Sequence, residues 1–203
     1  KYPDRPAAVF CAPGVRLSWS EFDAEVDRVA RALLALGLRR GDHFGVWATN
    51  VPEWVLLQFA TARIGVVLVT INPAYQTNEL AYTLQHAELR GLALLDRFKS
   101  SDYFASLNQA IPELASYRPG EISSSRFPKL QWAIVLRGTP PAGTLSWQEF
   151  LSGGPSVSAE EWNAAQAQVH CSDPINIQFT SGTTGLPKGA MLSHRNILLN
   201  AYY

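Results

Sequence analysis

Residues 180 to 189 read Thr-Ser-Gly-Thr-Thr-Gly-Leu-Pro-Lys-Gly, and this string gathers the groups best suited to holding an anion. Gly182, Gly185 and Gly189 let the backbone turn sharply and come close to a ligand. Thr180, Ser181, Thr183 and Thr184 supply hydroxyls, and Lys188 adds a compact positive charge. Successive backbone N–H groups in such a loop form an anion-binding nest. The combination suits a polyphosphate. A Gly-, Ser- and Thr-rich stretch also suits a plain surface turn, and residue types alone leave both readings open. The spacing differs from the widespread phosphate loop G-x-x-x-x-G-K-[ST], which needs Gly directly before Lys and a hydroxyl directly after it. Here Leu186 and Pro187 stand between Gly185 and Lys188, and Gly189 follows. A nucleotide triphosphatase of that class would lack its magnesium-ligating hydroxyl.

The elements around this string read as an alternation of strands and helices. Val9–Cys11 and Val15–Leu17 flank Ala12-Pro13-Gly14 and suit a short hairpin. Ser18 with Glu21 fits a capping box, and Phe22, Val26, Val29, Leu33 and Leu36 give the following helix an apolar stripe. Gly37 suits its left-handed end. Strands are predicted at Phe44–Ala48, Val66–Ile71, Leu89–Leu95, Trp132–Leu136 and Ile175–Phe179, with a short one at Ala190–Leu192. Helices are predicted from Pro52 to Arg63, from a Thr77 cap to Ala87, over Ser101–Gln109, near Ser146–Leu151 and from Ser193 onward. Residues 111 to 127 and 153 to 158 read as connectors. The alternation predicts an α/β fold of layered βαβ units, with a parallel sheet covered on both faces.

Composition narrows the function classes. Of 203 residues, 47% are hydrophobic and 17% charged, which argues against disorder. Seventeen basic residues balance 17 acidic ones, so the chain carries no overall basic footprint for nucleic acid. The most apolar run, around Val66 to Ile71, falls far short of the roughly 20 residues of a membrane helix. Two cysteines make neither a disulfide scaffold nor a zinc cluster. The chain starts at Lys1 and stops at Tyr203 inside a predicted helix, and is expected to be a piece of a longer protein.

TSGTTGLPKG, with DPINIQF before it and AMLSHRN after it, resembles the phosphate-binding signature of the adenylate-forming (AMP-binding) superfamily. RLSWSEF is similar to that superfamily's first motif, with Trp19 and Phe22 in place of Tyr and Leu. TARIGVVLVTINPAY is similar to its second. The stretches NPAYQTNELAYTLQHAELRGLALLDRFKSSDY and CSDPINIQFTSGTTG resemble the medium-chain acyl-CoA synthetases of the acyl-CoA synthetase family member two group. The resemblance spans nearly the whole chain. It implies ATP-dependent activation of a fatty acid to acyl-AMP, then transfer to CoA, with Mg2+ as the metal. The alternatives are another ligase of the superfamily, such as an aryl-CoA ligase or adenylation domain, or a non-enzymatic nucleotide-binding module.

By the same resemblance, Thr180, Ser181, Gly182, Thr183, Thr184, Gly185, Leu186, Pro187, Lys188 and Gly189 hold the ATP phosphates. Thr183 and Thr184 are the favoured hydroxyl donors. The family's catalytic, adenine-binding and magnesium-binding positions are expected beyond Tyr203, so residues 1–203 form a partial N-terminal AMP-binding domain, inactive alone, with no metal ligand of its own. Fatty acid, ATP and CoA are the expected partners, with no nucleic acid and no transmembrane segment. A bacterial parent would sit in the cytoplasm, a eukaryotic one in the mitochondrial matrix.

The remaining residues receive plainer readings. His194 reads as a first-turn residue behind a Ser193 cap, with phosphate contact as the alternative. His43, His86 and His170 lack metal-ligand spacing. Cys11 and Cys171 read as buried or incidental. Trp47 and Trp54 read as core, and Asn72-Pro73 as a turn. Arg126, Lys129 and Arg137 read as a solvated face in preference to a CoA phosphate contact, and Asp96 and Asp102 receive no acid–base role.

Overall fold

The computed structural model describes residues 2–12, 14–180 and 187–203. A hairpin of β1 (Pro6–Phe10) and β2 (Val15–Ser18) leads into α1 (Trp19–Ala35). The capping box forms as the sequence predicts. The Ser18 N–H donates to Glu21 Oε2 at 2.8 Å, and the Glu21 N–H donates back to Ser18 Oγ at 3.3 Å. Phe22, Val26, Val29 and Leu33 are buried. Leu36 ends the helix as its cap and is only half-buried. Gly37 follows at φ +82°, where a Cβ would be strained. Its N–H bonds the Leu34 carbonyl at 2.8 Å, and the Leu38 N–H bonds that of Leu33 at 3.2 Å.

The body then alternates β3 (His43–Trp47), α2 (Pro52–Arg63), β4 (Val67–Thr70), α3 (Thr77–His86) and β5 (Gly91–Leu94). A small hairpin of β6 (Arg97–Phe98) and β7 (Ser101–Asp102) precedes α4 (Tyr103–Ala110). Next come β8 (Trp132–Val135), β9 (Leu145–Ser146), α5 (Trp147–Ser152) and α6 (Ala159–Ala167). The described chain closes with β10 (Pro174–Thr180), β11 (Lys188–Ser193) and α7 (His194–Tyr202).

Seven strands form one sheet in the order β11-β10-β4-β3-β5-β8-β9. Every pairing is parallel except β10 with β11. The α/β layering and the parallel sheet are therefore as predicted, with one antiparallel strand added at the β11 edge. The short connection from Thr180 to Lys188 allows only an antiparallel return, because a parallel one needs a crossover. Helices cover both faces, and alternate residues of β10 reach the two layers. Asn176 meets Gln58 of α2, whereas Phe179 meets the rings of Tyr82 and His86 on α3.

Further differences from the prediction concern the cap of α3, α6, β9 and the last strand. The cap of α3 is Gln76, whose N–H donates to Glu79 Oε2 at 3.1 Å. Thr77 is the first helical residue and donates to Gln109 Oε1 instead. The helix α6 has no counterpart in the prediction, because Trp162 is its only buried residue and no apolar stripe marks it. The strand β9 is two residues long, too short for a periodic signal. The last strand opens at Lys188, two positions before the predicted Ala190.

Trp47 and Tyr103 form the centre of the core, with rings stacked 3.6 Å apart at 9°. Trp47 Nε1 donates to the Asn72 carbonyl at 3.2 Å, and the Tyr103 hydroxyl to the Pro73 carbonyl at 2.6 Å. Burial pushes the Tyr103 pKa up to about 12. These bonds hold the Asn72-Pro73 turn, where the Ala74 N–H also bonds Asn72 Oδ1 at 2.9 Å. Trp47 and the turn thus take the structural roles expected of them, and Trp54 packs partly buried against the same core.

Candidate functional site

The hairpin of β10 and β11 carries the ends of the predicted phosphate loop. Ser181, Gly182, Thr183, Thr184, Gly185 and Leu186 lie outside the described residues. Thr180, Pro187, Lys188 and Gly189 are described. β10 runs parallel to β4 through Asn176, Ile177 and Gln178, so Thr180 lies at the carboxyl edge of the sheet. Thr180 pairs directly with Lys188, and its Oγ1 donates to the Lys188 carbonyl at 3.4 Å. Residues directly opposite in an antiparallel pair project from the same face. The Thr180 hydroxyl and the Lys188 ammonium therefore leave the sheet together, on the face shared by Asn176 and Gln178. Lys188 is exposed, and no carboxylate among the described residues pairs with it. Gly189 faces the other way, opposite Phe179. A Cβ there would stand 2.9 Å from Ile177 Cγ2, so the position favours glycine by close approach alone.

A polar clamp fixes the start of this hairpin. Arg40, from the loop after α1, grips Asp173 with Nε to Oδ2 at 2.7 Å and Nη2 to Oδ1 at 2.6 Å. The His170 N–H donates to Asp173 Oδ2 at 2.9 Å. The Asp173 carbonyl accepts the His194 N–H at 3.2 Å, linking the clamp to α7. The Arg40 guanidinium, then the His170 amide, hold the Asp173 carboxyl well below the usual carboxylate range. A carboxylate with a depressed folded pKa adds stability above its unfolded value, and that stability fades as the pH falls below it. Asp173→Asn is accordingly expected to lower the urea midpoint at neutral pH. The gap from wild type should narrow between about pH 5 and about pH 3, as urea titrations across that range would read.

Beside the clamp, a cleft of about 980 Å³ opens between α2, β10 and α7, lined by Gln58, Phe59, Ile175, Asn176, His194 and Ile197. Asn176 is 1% exposed and its Nδ2 donates to Gln58 Oε1 at 3.0 Å. Its Oδ1 has no partner among the described residues, and neither does the buried Nε2 of His194. Burial pushes the His194 imidazole below its ordinary pKa, with Asp173 opposing. His194 is the first residue of α7 behind the Ser193 cap, as predicted, and its ring faces this cleft. Phe59, Leu198 and Leu199 leave apolar surface exposed around the same region.

Asn176 and Tyr82 are among the residues of this region that escaped the sequence reading. Asn176 was legible only as one polar residue inside Ile-Asn-Ile, which gives no hint of its burial. Tyr82 carried no signal at all: its hydroxyl donates to the Pro187 carbonyl at 3.2 Å across 105 residues of sequence.

The other candidates stay apart from the hairpin. Lys129 pairs with Glu88 at 2.7 Å, Arg137 with Glu53 at 2.9 Å, and Arg126 lies over the Phe127 ring. Asp102 caps α4, and Asp96 accepts from Arg97. Cys11 and Cys171 are free and exposed, which removes the buried alternative and leaves the incidental one. Among the described residues, no group of three or more His, Cys, Asp or Glu is arranged to hold a metal. No helix among them is long and apolar enough to cross a membrane.

Comparison with known proteins agrees with this architecture. The family model described as AMP-binding enzyme matches residues 1–203. The mitochondrial medium-chain acyl-CoA ligase ACSF2 of Danio rerio is 45% identical over 203 residues, covering 100% of this chain and 33% of that protein. The putative acyl-CoA synthetase YngI of Bacillus subtilis is 38% identical, covering 98% of this chain and 36% of its own length. Among solved structures, the anthranilate CoA ligase AuaEII in complex with anthranoyl-AMP superposes with a TM-score of 0.78 at 25% identity, covering 99% of this chain and 34% of that one. The chain spans about a third of the length of the curated relatives it matches. With the family model matched from the first residue to the last, this chain belongs to the AMP-binding enzymes.

Proposed function

We propose that residues 1–203 form part of the large N-terminal domain of a longer enzyme, and that this enzyme joins a medium-chain fatty acid to CoA at the expense of ATP. The observation that carries this reading is the 45% identity, along the whole chain, to a medium-chain acyl-CoA ligase. In the first step a carboxylate oxygen attacks the α-phosphorus of ATP, and the bond to pyrophosphate breaks. In the second the CoA sulfur attacks the acyl carbon, and AMP leaves.

Bringing a carboxylate to a polyphosphate needs positive charge and fixed geometry. In this reading Thr180 to Gly189 hold the β- and γ-phosphates, with Thr183 and Thr184 as hydroxyl donors and Lys188 as the charge. The exposed ammonium of Lys188, without a carboxylate partner among the described residues and beside the Thr180 hydroxyl, supports that assignment. In this reading Mg2+ accompanies the ATP phosphates, with its carboxylate partner supplied by the rest of the longer enzyme. The 203 residues alone are expected to form no thioester. A mitochondrial relative and a bacterial one support a mitochondrial matrix or a cytoplasmic site according to the source.

The test follows ATP-dependent pyrophosphate release by the full-length enzyme with acids from acetate to palmitate, and with benzoate, with and without CoA. A maximum at medium-chain acids with CoA-dependent thioester is the expected result. Release with aryl acids alone would replace the fatty acid by an aromatic one, the substrate class of the anthranilate ligase that shares this fold. ATP binding without release for any acid would leave a nucleotide-binding module.

A further inference from the structure

Tyr82 approaches the hairpin from α3, on the face opposite to the one that Lys188 and Thr180 share. Its ring is held on one side by His86, stacked with centroids 5.1 Å apart at 11°. The Phe179 ring of β10 stands edge-on to it, with centroids at 6.4 Å and planes at 75°. The hydroxyl at the end of this braced ring donates to the Pro187 carbonyl at 3.2 Å. Proline has no N–H, so that carbonyl is the only backbone hydrogen-bonding group Pro187 offers. The peptide bond so held is the one that leads directly into Lys188.

The helix carrying Tyr82 is itself fixed. Leu80, Ala81 and Leu84 are buried, and the Thr83 hydroxyl bonds the Glu79 carbonyl at 2.9 Å. Lys188 is therefore located from two directions. The ladder pairs it with Thr180 on one side, and Tyr82 holds the peptide before it on the other. We propose that Tyr82 is a positioning residue: its hydroxyl sets where the Lys188 ammonium stands, and so tunes the affinity of the hairpin for a polyphosphate. This rests on reading the hairpin as the ATP phosphate site. Without the bond, the Pro187–Lys188 peptide loses its tether to α3, and the ammonium spends less of its time in register with the phosphates.

The variant Tyr82→Phe removes only the hydroxyl and keeps the ring packed between His86 and Phe179. In the full-length enzyme it is expected to raise both the Kd for ATP by calorimetry and the KM for ATP by about 3- to 10-fold, the loss of one ordinary hydrogen bond. The KM for the acid and the thermal midpoint should stay at wild-type values. A merely structural role would move those two as well. In a Lys188→Ala background, Tyr82→Phe should weaken ATP binding no further, because the group it positions is gone. An unchanged Kd for ATP in Tyr82→Phe would overturn the proposal, as would an equal effect with and without Lys188. A wild-type enzyme that binds ATP and releases pyrophosphate while Tyr82→Phe matches it leaves the phosphate site standing and removes only Tyr82. A wild type that binds no ATP removes both.

Discussion

Lys188→Ala in the full-length enzyme is expected to lower kcat/KM for ATP by about 10- to 100-fold, the range of one lost hydrogen bond to a charged group. The side chain is exposed and pairs with no carboxylate among the described residues, so its removal asks nothing of the fold. Stability should stay within about 0.5 kcal/mol of wild type, as for surface substitutions generally. Lys188→Arg should recover only part of the activity, because a planar guanidinium does not reproduce a compact ammonium. Steady-state kinetics with varied ATP, paired with a thermal melt, checks both halves. An activity loss matched by a fall in midpoint would make Lys188 a structural residue, and unchanged kinetics would remove it from the phosphate site.

The largest effect on stability is expected at the opposite end of the design, in the core. Trp47→Ala should cost about 3–5 kcal/mol, the range for emptying a buried aromatic site. Three losses combine. The cavity sits in the central strand β3; the stacked partner Tyr103 loses its contact face; and the Asn72 carbonyl loses the Nε1 donor. Against a typical total of about 5–15 kcal/mol, that is a large share of what holds a domain folded. Trp47→Phe keeps a ring against Tyr103 and should fall in between. Urea titration of the three proteins reads the order directly. A Trp47→Ala midpoint equal to wild type would mean that the stack contributes nothing.

What was legible in the sequence was what is decided within a few residues. The Ser18–Glu21 box, the Gly37 terminator and Pro52 at a helix start each act through neighbours in the chain, and each appears where the residues placed it. The helix α6 was missed because an exposed helix held by one tryptophan has no periodic face to read. The Gln76 cap was missed because the Thr77 hydroxyl is spent on Gln109, a partner 32 residues away. The same division applies to the site. The string Thr180 to Gly189 suggested a phosphate loop because its donors and its charge are contiguous, and that assignment is the one proposed above. The Tyr82 tether, the Asn176–Gln58 bond and the Arg40–Asp173 clamp join distant residues, and no local pattern encodes them.

The connectivity of β10 also bears on the order of assembly. β3, α2 and β4 follow one another along the chain and can close by short crossovers, and β5 needs only one more. The hairpin, in contrast, is tied in by Gln58 to Asn176 across 118 residues and by Arg40 to Asp173 across 133. Closing loops of that length is entropically costly before any contact rewards it, and non-local pairings of this kind slow folding. The parallel frame can therefore organise while the β10–β11 hairpin is still unpaired, and β10 then adds to a ready-made edge at β4. During synthesis the same order holds, since the frame leaves the ribosome first. The segment proposed to hold phosphate is thus a late arrival, docking onto a scaffold whose own folding does not wait for it.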